Sequence, residues 1–296
     1  MGNCLDKPQE GETDSSPCSI ATSSTGTYNE QHSMTYLINA DNDRFSKLHT
    51  LFKCTWQANF LAPVHKQLGL GNARVLELGC QTGEWVLEVS EKYPLAKVWG
   101  IDTSNYFPSS IPLNSTFLHH NIILNGLPFA DNTFDFVHAR CLAFTFTDIE
   151  WEQKIIKELL RVLKPGTGWL SLLEINLFYK IEGQNTAKLT EYMKLFLNEK
   201  KMNPDIASLQ EHLLRASNQF TDIQVHERFP TLDHMNDIAA EEFARRMYAL
   251  SKELSEFIGI DNEEYKSLVK SSVKEFNIYK TSIRQTRVIA RKISLN

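Results

Sequence analysis

Arg74-Val-Leu-Glu-Leu-Gly-Cys-Gln-Thr-Gly-Glu-Trp85 decides the fold of this chain. Residues 75–78 read as a short buried strand that ends in an acid, Glu77. A loop with Gly79 and Gly83 follows, then a helical run over 84–92. Such a strand–loop–helix unit at the start of an α/β domain brings backbone N–H groups close to a ligand. Glycine is needed there because a Cβ would block the approach or forbid the dihedral angles. A dinucleotide loop has the spacing G-x-G-x-x-G, with a phosphate on the helix N-terminus. Counted from Gly79, its later glycine positions hold Gln81 and Glu84, and Glu84 puts negative charge where a pyrophosphate would sit. The spacing G-x-x-x-x-G-K-[ST] of a P-loop is absent too. What the stretch does show is E-x-G-x-x-x-G.

Composition narrows the class. The chain has 296 residues, 42% hydrophobic and 23% charged, enough for a large core in one α/β domain with insertions. A net charge of −5 leaves no basic footprint for nucleic acid. Five cysteines (Cys4, Cys18, Cys54, Cys80, Cys141) lie scattered without C-x-x-C spacing, which predicts a reducing, cytoplasmic setting and no metal site. No apolar run reaches the length of about eighteen residues that a membrane span needs.

Outward from the central stretch, residues 1–35 are polar and predict a disordered tail. Met1-Gly2-Asn3-Cys4 offers Gly2 for myristoylation and Cys4 for a second acyl chain, a route to peripheral membrane contact; Asp6 stands where a Ser or Thr is usual. Helical spacing begins after Asp41 and covers Leu48, Leu51, Phe52 and Trp56, and a second short helix runs over 63–68. Residues 96–101 form a second strand ending at Asp102. An acid at that distance past a glycine loop is placed to accept ribose hydroxyls, and a turn-capping role is the bland alternative. Further strands are expected over 115–120, 134–139 and 169–175, with a helix over 150–163. Beyond them come helices over 187–201, 205–217, 237–257 and 262–279, and strands over 220–229 and 286–293. Short strands alternating with helices predict a doubly wound, mostly parallel sheet.

These landmarks together resemble the class I S-adenosylmethionine-dependent methyltransferases, and among them a fungal group with a D-x-x-R…H helix before the first motif. That helix stands here as Asp41-Asn-Asp-Arg44 and His49, followed by Asn59-Phe-Leu-Ala-Pro63. Gly100-Ile-Asp-Thr-Ser104, Gly126-Leu-Pro-Phe129, Phe134-Asp135, Arg161-Val-Leu-Lys-Pro-Gly166, Trp169 and Glu174 follow in order. The resemblance covers residues 36–176 by ordered motifs and the remainder more loosely. It implies a seven-stranded Rossmann-like sheet. N-terminal helices over 36–72 would precede a cofactor core over 73–176, and acceptor-covering helices with the last strands would fill 177–296.

For the site, the resemblance implies that Glu77, Gly79 and Gly83, with the backbone of Cys80 and Gln81, hold the methionine part of S-adenosylmethionine. That cofactor is a sulfonium and ammonium cation without phosphate, so the acids Glu77 and Glu84 suit it. Asp102 would hold the ribose with Thr103 beside it. Asn121 and Ile122 would contact adenine, Asn121 through the exocyclic amine. His138 and Ala139 would face the sulfonium, with His138 as candidate base, although satisfaction by a backbone carbonyl is its bland alternative. Arg44 and His49 would touch cofactor or lid. The chain differs from the family at Gln81, where a glycine is usual, at Asn121, where Asp is commoner, and in Pro165-Gly-Thr-Gly168. The expected function is methyl transfer to a small-molecule or protein acceptor. A catalytically silent binding or regulatory module is the alternative, and a nicotinamide-dependent oxidoreductase is disfavoured by the glycine spacing.

Overall fold

Alternation of apolar runs with amphipathic helices yields one seven-stranded sheet in the order β3-β2-β1-β4-β5-β7-β6. The structure, a computed structural model, describes residues 42–232 and 238–294, with backbone alone at 42–44. The tail expected over 1–35, with Gly2 and Cys4, lies outside the described residues, as does the Arg44 side chain.

Strands β1 (Arg74–Leu78), β2 (Lys97–Asp102), β3 (Ser115–His119), β4 (Phe136–Arg140) and β5 (Trp169–Lys180) run parallel. β7 (Ser282–Lys292) is antiparallel to both its neighbours, β5 and β6 (Phe220–Arg228). β1 is buried from Val75 to Leu78, the continuous apolar pattern of a central strand covered on both faces. On one face Val75 shares a core with α2 (His65–Gly69) and α3 (Glu84–Lys92), and α1 (Asn42–Trp56) is tied to α3 through Lys53 and Glu88. The even residues of β1 join the core of the other face. There α4 (Ile122–Asn125), α5 and α7 (Ile206–Ala216) pack. α5 is one helical segment made of Asp148–Glu150, a π-helical turn Trp151–Ile155, and Ile156–Val162. α6 (Gln184–Glu199), α8 (Ile238–Ala249), α9 (Ser251–Ile258) and α10 (Asn262–Tyr279) form a third core with α1 and the extended end of β5.

The doubly wound, mostly parallel sheet stands as expected, and several boundaries move. β4 runs on to Arg140 and starts late, because Phe134 makes only an isolated bridge to Leu163. β5 continues to Lys180, since β7 pairs with its extension past an irregularity between Ile175 and Tyr179. The helix expected over 237–257 is two helices. Leu250 leaves helical geometry (φ −94°, ψ 8°) with its side chain buried, and Ser251 opens the second.

Candidate active site

Parallel order puts the C-terminal ends of β1, β2 and β4 side by side, the usual ligand crevice of such sheets. The bend after β1 is fastened there by Gly79 N and Cys80 N, which both donate to Ile101 O at 2.8 and 3.1 Å. Gly79 has φ 71°, and a Cβ added to it would meet Leu142 Cδ2 at 2.6 Å, so only glycine serves. Gln81 holds the left-handed region with φ 55°, which explains why glycine is commoner at that position.

Its backbone N–H donates to Asp102 Oδ2 at 2.9 Å, tying the bend to the end of β2. Asp102 Oδ1 takes the N–H and hydroxyl of Ser104 at 2.8 and 2.9 Å. Three of its roughly four acceptor sites are therefore filled, leaving room for one further hydroxyl rather than the ribose pair expected. Turn capping and ligand binding thus share one carboxylate.

Glu77, expected to hold the methionine part, is fully buried. Burial pushes its carboxyl up to about 8 despite Arg140. Arg140 Nε lies 2.9 Å from Glu77 Oε1, yet neither carboxylate oxygen receives an aligned hydrogen bond. Arg140 belongs to β4 in the register that pairs Glu77 with His138, so Glu77, His138 and Arg140 share one face. Arg140 Nη1 also reaches His49 Nδ1 on α1 at 2.8 Å. A guanidinium cannot accept, so Nδ1 accepts and the His49 proton sits on Nε2. That atom is 3.1 Å from Glu88 Oε1 on α3, at ion-pair distance without full alignment. Glu88 also binds Lys53 at 2.8 Å and Asn59 at 3.1 Å. Burial raises the Glu88 carboxyl, but its bonds to His49 and Lys53 outweigh this and bring it to about 2. Burial holds His49 below its ordinary value. The expected contact of His49 with cofactor or lid becomes a strut from helix to sheet.

His138 and Ala139 do not face one ligand together. Neighbours in a strand point to opposite faces, and Ala139 packs in the core beyond the sheet. His138 lies within β4, stacked on Trp85 with ring centroids 4.6 Å apart. Its Nδ1 donates to Ser171 O at 3.1 Å, the bland alternative, which leaves the Nε2 lone pair buried and unmet. Burial, then Arg287 and Arg140, push its pKa well down, so the ring is neutral near pH 7. A small cavity with room for about one water molecule opens beside it, between α1 and strands β4, β5 and β7. Arg287, which lines this cavity, escaped the sequence reading because it stands among other polar residues of β7 (Arg284, Gln285, Thr286, Arg291) with no motif to mark it.

The remaining candidates spread along the crevice. Thr103 is exposed beside Asp102, and its carbonyl takes His119 Nε2 at 2.9 Å. Asn121 Oδ1 accepts Ile123 N at 2.9 Å and Leu124 N at 3.4 Å as the N-cap of α4. With that oxygen committed, the expected bond to an adenine amine is replaced by a cap. Ile122 is buried as the first residue of α4. Glu174 accepts Leu142 N and Ala143 N, both at 3.2 Å, and so fixes the loop after β4 over Gly79.

The arrangement still fits a cationic nucleoside. Glu77, Glu84 and Asp102 lie close enough for the two latter charges to raise the Glu77 carboxyl. Three acids at one bend repel a pyrophosphate and attract a sulfonium or ammonium. Both Glu77 oxygens lack donors, and Asp102 keeps one free acceptor site.

The methyltransferase-domain family matches residues 75–166. Among curated proteins, the chain is similar to the secondary metabolism regulator LAE1 of Cochliobolus heterostrophus, 29% identical over 138 residues, covering 46% of this chain and 44% of that protein. It is similar to methyltransferase pytC of Aspergillus terreus, 30% identical over 186 residues, covering 58% of this chain and 54% of that protein. The chain thus spans about half the length of these relatives. Its fold is that of the cyclopropane synthase MmaA2 of Mycobacterium tuberculosis, with a TM-score of 0.51 at 14% identity, covering 88% of this chain and 100% of that one. Motif order, sheet order and the acid-lined bend agree with the domain match: residues 75–166 form the core of a methyltransferase domain of the class I kind, whose cofactor is S-adenosylmethionine.

Proposed function

We propose that this chain moves the methyl group of S-adenosylmethionine to a small-molecule or protein acceptor. The observation that carries the reading is the gathering of Glu77, Glu84 and Asp102 around one glycine bend. The cofactor supplies an already activated methyl group. The residues therefore have to align nucleophile and sulfur, and alignment of that kind can lower a barrier by about 7–11 kcal/mol. Asp102 and the backbone of the bend would hold the nucleoside, and Glu77 would favour its cationic end from within. Neutral His138 can accept a hydrogen bond from an acceptor O–H or N–H at Nε2 and so orient the nucleophile. Its cationic neighbours make it a poor store for a proton.

Gln81 in a strained conformation, Leu142 over Gly79 and the sealed Glu77 favour a second reading, a binding or regulatory module with little turnover. Calorimetry with S-adenosylmethionine, S-adenosylhomocysteine and NADH, with transfer of labelled methyl to extract components, separates the two. Binding of both sulfur nucleosides with label on an acceptor supports the enzyme. Binding without label supports the module, and binding of NADH alone refutes both.

A further inference from the structure

β5 is buried from Trp169 to Leu177, and that run carries a carboxylate, Glu174, which is 1% exposed. No cation pairs with it among the described residues: its three donors are Leu142 N, Ala143 N and the amide of Gln210. A buried carboxylate on neutral donors is costly, so its effect has to be sought in what those donors belong to.

Two of them are consecutive amides of the loop after β4. Cys141 N makes the last rung beside β5, donating to Leu173 O at 2.9 Å, and Cys141 then turns left-handed with φ 56°. The turn aims the next two N–H groups at one acid, Leu142 N at Oε1 and Ala143 N at Oε2, each 3.2 Å away. Thr145 N closes the loop on Leu142 O at 3.0 Å. The side chain of Leu142 lies against Gly79 and leaves no space for a Cβ there. The place of Leu142 and the shape of the bend are therefore linked. Gln210 of α7 steadies the acid by donating Nε2 to Oε1 at 3.1 Å. Glu174 thus joins β5, α7 and the loop that flanks the bend.

The grip depends on charge. Ionised, Glu174 accepts from both amides through charge-assisted bonds; protonated, it loses that charge and one oxygen becomes a donor. Burial raises its carboxyl to about 7, against the pull of Gln210, the two loop amides and Arg246. Three other groups surround it. They are Glu242, which pairs with Arg246 on α8 at 3.4 Å, the Cys141 thiol, pushed up to about 12 by burial and then by Glu174, and Thr286 opposite it on β7.

We propose that Glu174 is a positioning residue for the cofactor site: its carboxylate holds Leu142 and Ala143 so that the loop after β4 closes one side of the glycine bend. It acts through the loop and does not touch the ligand. The proposal rests on the methyl-transfer reading for the identity of the ligand at the bend.

The test uses the full chain, with S-adenosylhomocysteine as probe. Calorimetry gives its affinity at about pH 6 and about pH 8, while NMR follows the amide resonances of Leu142 and Ala143 over the same range. In the parent both resonances should move with one midpoint near 7, the value to which burial raises Glu174, and binding should tighten with that step. Glu174→Gln keeps the volume but offers one oxygen to two N–H groups. It should weaken S-adenosylhomocysteine about tenfold at the higher pH, and the gap should shrink at the lower. Titration of the ligand or of Glu77 is common to parent and variant, so the difference between them reports Glu174. Equal affinity at the higher pH overturns the proposal. A gap of one size at both pH values marks a variant damaged throughout and overturns it too. If Glu174→Gln does not fold, the parent decides: loop resonances that move with the step in affinity support the proposal, and resonances that stay still overturn it. A parent that binds no sulfur nucleoside sinks the cofactor reading and this proposal together, whereas tight binding indifferent to Glu174 sinks the proposal alone.

Discussion

Asp102 and Glu77, both legible as acids at strand ends, have unlike surroundings. Asp102 is half-buried and joins the bend to β2. Asp102→Ala should weaken S-adenosylhomocysteine by about 1–3 kcal/mol through loss of charge-assisted bonds, read by calorimetry; unchanged affinity removes it from the site. Glu77 is sealed and faces Arg140. Glu77→Gln keeps the uncharged form that burial favours, so near pH 7 it should change stability in urea unfolding by less than about 1 kcal/mol, and it should remove the loss that Glu77 adds as pH rises through about 8. An unchanged pH profile in the variant would show that Glu77 is not the group titrating there. The acid at position 77 is visible in any strand-then-glycine pattern. Its partner lies on another strand far along the chain, so no local spacing announces it. Asn121 shows the converse: a residue type placed correctly by motif, whose oxygen is already spent as a helix cap.

At the scale of elements, α1 is joined to the sheet through His49 and Arg140 and to α3 through Lys53 and Glu88. His49 titrates below 6.5 in the folded chain because burial opposes its charge. The unfolded chain therefore takes up the proton first, and this contribution is full above about pH 6.5 and declines as pH falls. Glu88, about 2 when folded against 4.5 unfolded, adds a loss between those values. Glu77 and Glu174, raised by burial to about 8 and about 7, act in the opposite direction, with stability lost as pH rises. The comparison between variants isolates the histidine. His49→Gln keeps an acceptor for Arg140, and the parent's melting temperature should drop relative to it between pH 6.5 and 5. Parallel curves would exclude His49 as the titrating group. Helix and strand positions near the bend were readable because apolar spacing and glycine punctuation coincide there. The π-helical turn of α5 and the break at Leu250 were not, because both arise from packing that local periodicity does not encode.

For the whole molecule, sheet order followed from alternation of elements, whereas the reach of β5 to Lys180 depends on its antiparallel partner β7. Several motif residues turn out to hold the scaffold at the opposite end of the strands. Asp135 binds Lys164 and Arg74 N, and Arg161 binds Glu158, Asp131 and the carbonyls of Leu127 and Phe129. A family pattern therefore mixes ligand contacts with struts, and only coordinates separate them. β6 touches the sheet solely through β7. Removal of residues 282–294 should leave the amides of β6 unprotected in hydrogen exchange while β1, β2 and β4 keep their protection. Retained protection in β6 would mean that it pairs elsewhere.

The interior place of β7 also has a kinetic corollary during translation. While residues up to 281 emerge from the ribosome, β5 presents an open flank and β6 has nothing to zip onto. The nascent chain must carry that unpaired flank until one late segment slides between them, a window in which chaperones would find it and stray strands could add to it.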